Sequence, residues 1–290
     1  MVGTFLVRGM LVGVIAALLA FGFARLFGEP PIDRAIAFEE QIAEAAGEPP
    51  EAALVSRATQ AGLGLFTGLV VYGAAIGGLF SLVFAFVCGR AGNLGVRATA
   101  ALIAAGGFLV VVLAPAIKYP PNPPSIGNPE TIVFRTELFF LMIVLSLLSM
   151  LAAIAVFRQF VARYGAWNAA LVGGGAFVLL VAAAEVALPS INEVPEKFSA
   201  AVLWQFRVAA LGMQLVLWTT LVGAAADGSS VGGATVAAPP PPDEHAATIA
   251  GTAIASRTMR VRMDRVGLVM RRPPGPVGSR WPRRGGPLRG

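Results

Sequence analysis

A chain of 290 residues with 56% hydrophobic and 13% charged side chains carries about half the charge of a soluble globular domain, where about 25% is usual. With a mean hydropathy of +0.74, that composition excludes a soluble domain and points to an integral membrane protein. One cysteine, Cys88, excludes an internal disulfide framework and a cysteine zinc site, and one histidine, His245, lies outside every apolar run.

A helix crossing about 30 Å of hydrocarbon needs roughly 20 mainly apolar residues. Six runs meet that length: Phe5–Phe27, Ala61–Cys88, Ala98–Ile117, Glu137–Phe157, Ala166–Leu188 and Ala200–Val222. None alternates as a barrel strand must. The predicted fold is therefore all-α, a polytopic transmembrane bundle. Gly9 and Gly13 in the first run, and Gly64 with Gly68 and Gly73 with Gly77 in the second, stand four apart. Each such pair predicts a groove where helix backbones approach closely.

Between the first two runs lies an acidic loop, Gly28–Gln60, with seven acids against Arg34 and Arg57. Gly28–Pro31 predicts a turn and a helix start, because proline is tolerated in a first helical turn. Ile32, Ile36, Phe38 and Ile42 then recur at helical spacing, which predicts an amphipathic outer helix over Asp33–Ala46. Its carboxylates are either a cation-gathering surface or a solvated face.

After the third run, five prolines between Pro120 and Pro129 forbid a regular helix and hold the chain extended. This segment is read as a stiff connector or as a cover over the outer mouth. Arg90 and Arg97, and Arg158 with Arg163, occupy the short loops after the second and fourth runs, without acids. Basic loops stay on the cytoplasmic side, so both termini are predicted in the cytoplasm. Tyr119, Tyr164, Trp167, Trp204 and Trp218 lie near run ends, where an aromatic belt is expected.

Residues 1–237 hold 12 basic and 13 acidic side chains, whereas residues 238–290 hold 10 Arg and 3 acids. The overall +6 is thus a property of the tail. The membrane domain is predicted over 1–226. The Gly/Pro/Arg-rich 227–290 segment lacks the composition of a packed core and reads as a disordered tail. Specific nucleic-acid binding is not expected of it.

Glu185 and Arg207 fall inside runs, within the outer half. Charges inside a membrane usually face the bundle interior and pair with one another, so a Glu185–Arg207 pair is predicted. Neither Lys118 nor Lys197 sits in a phosphate-binding loop, and no nucleophile–base constellation is present. The chain is not read as an enzyme.

Three blocks resemble the CbtA family, the predicted cobalt transporter subunit. They are Gly28-Glu-Pro-Pro with its acidic helix; Lys118-Tyr-Pro-Pro-Asn-Pro-Pro leading to Pro129-Glu-Thr-Ile and Arg135-Thr; and Leu188-Pro with Glu193-x-Pro, followed by Leu203-Trp-Gln-Phe-Arg207. The resemblance covers about residues 1–222. It implies a multi-pass subunit of a cobalt uptake system in the cell inner membrane. Cobalt would be the transported substrate, with no cofactor, and a small single-span, His-rich, CbtB-like subunit the partner. Family members are described with five spans, against six runs here. The candidate pathway or gating residues are Glu29, Asn122, Glu130, Arg135, Glu137, Glu185, Glu193 and Arg207. A non-transporting membrane scaffold is the alternative reading.

Overall fold

The computed structural model describes residues 2–47, 55–90, 94–124 and 126–226, and every regular element among them is helical. Five helices among these residues are long and apolar enough to cross a membrane: Gly3–Ala46, Arg57–Val87, Val96–Lys118, Ile132–Ala187 and Ala200–Ala224. The 227–290 segment read as a tail lies outside the described residues.

The first of these helices does not stop at Gly28. Helix α1 (Val2–Phe23) passes through a π-helical turn, Ala24–Gly28, directly into α2 (Glu29–Ala46). The predicted turn over Gly28–Pro31 is therefore corrected: Gly28 has helical angles (φ −87°, ψ −42°), and the prolines enter at the start of α2. Proline lacks an N–H and crowds the carbonyl four residues back, and the π turn absorbs both effects. Forty-four continuous residues rise roughly 66 Å, about twice a hydrocarbon thickness, so the α2 end extends beyond the apolar slab.

The second helix combines α3 (Arg57–Thr59), a π turn (Gln60–Gly64) and α4 (Leu65–Val87). Ser56 caps it, with its hydroxyl accepting the Thr59 amide at 3.3 Å. Helix α4 lies along α1 through two of the predicted glycine pairs. A Cβ on Gly13 would overlap the Gly73 carbonyl, and a Cβ on Gly77 would come within 2.7 Å of the Gly13 Cα. Backbone meets backbone there, and Val12, Ala16, Phe80 and Phe84 close the core around the contact. The third predicted pair makes no such groove: a Cβ on Gly68 meets nothing within 4 Å, and one on Gly64 meets only the Thr59 carbonyl of its own helix.

Helix α5 (Val96–Gly107) continues through a π segment, Phe108–Leu113, into α6 (Ala114–Lys118). The hydroxyl of Ser146, fully buried, donates to the Val110 carbonyl within that segment at 2.7 Å. Trp218 is buried at 7% exposure, packed so closely on Gly107 that a Cβ there would strike its ring. It is a core residue and leaves the predicted aromatic belt. Trp167 and Trp204 remain outside, at 76% and 69% exposure.

Helix α7 (Ile132–Ala187) carries both the fourth and fifth apolar runs and contains one non-helical residue, Gly165, at φ 79° and ψ 166°. In a straight helix Ala153 and Gly173 would lie about 30 Å apart. Here a Cβ on Gly173 would come within 2.9 Å of the Ala153 carbonyl, so the chain doubles back at Gly165 into two limbs packed side by side. That backbone region is open essentially to glycine alone. Gly165→Val is accordingly expected to cost about 1–3 kcal/mol. Thermal denaturation of the detergent-purified protein reads this loss, and an unchanged midpoint would refute the assignment of the reversal to this residue. Helix α8 (Ala200–Ala226) follows and packs on α1 and α5.

Candidate functional site

The ends of α1, α6 and the second limb of α7, and the starts of α4, the first α7 limb and α8, gather at one end of the bundle, hereafter the loop end. Three connections meet there. Ile126 of the proline-rich loop, Ala35 of α2 and Phe198 of the 188–199 loop form one small buried cluster. The Phe38 and Phe198 rings pack edge to face at 5.1 Å. Ala35 and Phe38 of the amphipathic helix thus pack on the covering loops, while Ile42 and the acids Glu39, Glu40 and Glu44 stay exposed.

Polar contacts tie this cover down. Lys118 Nζ donates to Ser190 Oγ at 3.0 Å and the Tyr119 hydroxyl to the Pro189 carbonyl at 2.9 Å. The Glu193 carboxylate accepts the Asn128 amide at 2.8 Å and the Thr131 hydroxyl at 2.6 Å. Arg135 Nε stands 3.4 Å from the same carboxylate, and its Nη2 donates to the Asn128 carbonyl at 3.2 Å. Gly127 (φ 127°) lies against that guanidinium, where any Cβ would strike the Arg135 Nη1.

The Thr131 and Asn128 hydrogen bonds, with the Arg135 charge behind them, hold the Glu193 carboxyl below the usual carboxylate range. A depressed acid stabilises the fold above its unfolded-state value and loses that contribution as pH falls through the folded value. The stability gap between wild type and Glu193→Gln is therefore expected to be constant above about pH 5 and to shrink below the ordinary carboxylate value of about 4.3. Melting curves of both proteins across pH 3–7 measure the gap, and a gap that widens on acidification would contradict the network.

The predicted Glu185–Arg207 pair does not form. Arg207, half-buried on α8, donates instead from Nη2 to Asn122 Oδ1 at 2.9 Å and from Nε to the Pro121 carbonyl at 3.3 Å. The loop oxygens reach the guanidinium because the extended proline run carries Pro121 and Asn122 across the start of α8. Glu185, half-buried near the end of α7, has no ion-pair partner among the described residues.

A third group lies at the same end. Glu29, 7% exposed, is ion-paired to Arg57, whose Nε also reaches Asp33 at 3.0 Å. Arg25 Nη1 donates to the Ala61 carbonyl at 3.1 Å, bridging the two π turns. These side chains line an open cleft of about 330 Å³.

Of the eight candidates, the structure brings Asn122 together with Arg207, and Arg135 together with Glu193. Glu29 sits in the separate Arg57 group. Glu130 and Glu137 are exposed, and the Glu130 amide, not its carboxylate, is engaged, donating to Asn128 Oδ1 at 3.0 Å. Sequence reasoning did not select Arg57, Asn128, Thr131, Tyr72 or Gln214. Arg57 had a signal, since it is the only base between Arg34 and Arg90. Tyr72 and Gln214 pair across α4 and α8 at 3.2 Å. Gln214 lies seven residues beyond Arg207 and so on the same face of α8.

Comparison with protein families decides what this loop-capped bundle belongs to: the CbtA family, described as a probable cobalt transporter subunit, matches residues 2–227. The chain belongs to the CbtA family. This CbtA chain is accordingly a multi-pass membrane subunit of a transport system, and its matched region takes in every helix described above. No curated protein and no solved structure matches it. Among the described residues no three His, Cys, Asp or Glu side chains stand close enough together to hold a metal ion.

Proposed function

We propose that this CbtA chain forms the membrane path through which cobalt(II) enters the cell, with the loop-end cover acting as its gate. The observation that carries the reading is the Arg207 contact: a cation on a membrane helix holds Asn122 Oδ1 and the Pro121 carbonyl of the covering loop. Side-chain and backbone carbonyl oxygens are hard donors of the kind a divalent metal accepts. A guanidinium seated on them keeps the cover closed and is displaced when a metal takes its place. Glu29 and Glu193 are likewise held by Arg57 and Arg135, so two acids near the entrance rest against tethered cations. Glu130, Glu137 and Glu185 remain available as transient oxygen ligands along the same end.

The reversal of α7 at Gly165 supports six crossings. Arg90, Arg97, Arg158 and Arg163 flank the helix ends opposite the cover, which supports inner-membrane insertion with both termini cytoplasmic and the cover outside. Carboxylates and carbonyls alone bind cobalt(II) weakly compared with imidazole. We therefore assign the missing ligands to a small, single-span, His-rich partner subunit. Catalysis has no part in this proposal.

The test is radiolabelled cobalt uptake by cobalt-starved cells expressing the chain with and without such a partner. Uptake that needs both chains and falls when Arg207 is replaced supports the proposal. No uptake in any combination, with the chain verified in the membrane, favours the scaffold reading instead.

A further inference from the structure

A second cleft, of about 410 Å³, opens on the side of the bundle between the α1–α2 junction and α8. Its walls are apolar: Phe23, Phe27 and Pro31 on one side, Trp204, Val208 and Ala209 on the other. The floor is firm, because the Phe23 ring is wedged against Gly212, where a Cβ would come within 2.6 Å of it. Phe27 packs beside Phe23, the rings tilted at 37° with centroids 4.7 Å apart. Exposed Leu26, Phe27 and Trp204 line the opening, so the cleft faces the bilayer at the level of the loop end.

Its polar groups are all at one end. Arg34 closes the outer rim, and Gln205 lies beside Trp204. Arg34 Nε donates to the Pro30 carbonyl at 3.1 Å, which turns the guanidinium back over the cleft with both Nη groups unpartnered among the described residues. The adjacent Asp33 carboxylate bonds Arg57 and not Arg34. Arg34 and Phe23 are eleven residues apart on one continuous helix, roughly 16 Å along its axis. The order from the loop end inward is cation, amide and indole, then aromatic and aliphatic walls.

We propose that this cleft is a binding site for an anionic glycerophospholipid. The headgroup phosphate sits against Arg34, within reach of Gln205 and the Trp204 indole, and one acyl chain lies inward along Phe27, Phe23 and Val208. The charge decides the occupant: a guanidinium with no ion-pair partner among the described residues, set over an apolar slot, matches a molecule with an anionic head and a hydrocarbon tail in that order. The residues lining the cleft differ from those that hold the cover, Asn122, Pro121, Arg207, Asn128, Thr131, Arg135 and Glu193.

The test uses the full chain purified in neutral detergent, with phosphatidylglycerol and phosphatidylcholine of matched acyl chains as probes. Native mass spectrometry reads retained lipid, and the melting temperature reads stabilisation. Phosphatidylglycerol is expected to be retained and to raise the melting temperature, and phosphatidylcholine is not. Arg34→Gln, at an exposed position, should weaken phosphatidylglycerol binding about fivefold, the effect of one interfacial arginine. Val208→Trp, which fills the slot from a bilayer-facing position, should remove retention. Melting of both variants without lipid checks that they are folded. Equal retention of the two lipids, or unchanged phosphatidylglycerol binding in Arg34→Gln, would overturn the proposal. Cross-linking of a partner helix from position 204 at the expense of lipid would overturn it too, in favour of a protein occupant.

Discussion

A Gly13→Leu chain is expected to fail to accumulate in the membrane, while Gly22→Leu and Gly68→Leu accumulate normally. All three substitutions place a leucine on α1 or α4, so helix propensity and hydrophobicity change alike. What differs is the neighbour. At Gly13 the new Cβ overlaps the Gly73 carbonyl, and Gly77 lies behind it; at Gly22 and Gly68 nothing stands within 4 Å. A flexible side chain could yield, but a helix backbone cannot, so α1 and α4 would have to separate. Overpacking a well-packed core typically costs 1–3 kcal/mol, occasionally more, and separation here would also open the cores around Val12, Ala16 and Ala17. Lipid offers no hydrophobic penalty for parted helices, so nothing restores the contact. We expect about tenfold or greater loss of membrane protein, read by quantitative blotting and size-exclusion chromatography. Equal levels of all three variants would show that the glycine contact does not organise the bundle.

Arg207→Met should loosen the cover without dismantling the bundle. Methionine keeps an unbranched apolar stem of similar reach and loses both donors to Pro121 and Asn122. Hydrogen bonds to charged groups contribute about 1.5–3 kcal/mol each. Taking the pair as one such contribution because its site is only half-buried, the open population rises by roughly ten- to a hundredfold. Hydrogen exchange reads this directly at the Ile126 and Asn128 amides, which are bonded to the Pro123 carbonyl and to Glu193. Lysine at 207 is expected to restore only part of the protection, because an ammonium cannot present the planar fork of a guanidinium. Asn122→Leu should mimic Arg207→Met, and the double variant should add little. Unchanged exchange in Arg207→Met would remove the latch from the mechanism.

Apolar run length revealed the membrane helices because the bilayer imposes a length that few soluble segments match. Arg207 was visible for a related reason: a charge is costly in hydrocarbon wherever it lies. Its partner was not visible. Glu185 was the nearest opposite charge by depth, yet depth says nothing about the face a side chain takes, and the loop oxygens were closer. Gly64 and Gly68 share the four-residue spacing of Gly73 and Gly77, but only the second pair faces α1. Trp218 shows the same limit, since its place near a helix end suggested the interface and Gly107 made room for it in the core.

By itself, the sequence determined that this protein lives in a bilayer as a helical bundle, that its acids cluster toward one end, and that three blocks match the CbtA family. Those properties follow from composition, run length and local wording, and each is carried by residues close together along the chain. Only the tertiary structure decided which glycines touch, where α7 turns back, and that the proline-rich loop is held by Arg207 and Glu193. The hydrogen bonds that hold the loop join residues 62 to 86 positions apart, and spacing along one chain cannot say which faces will meet once the helices are packed.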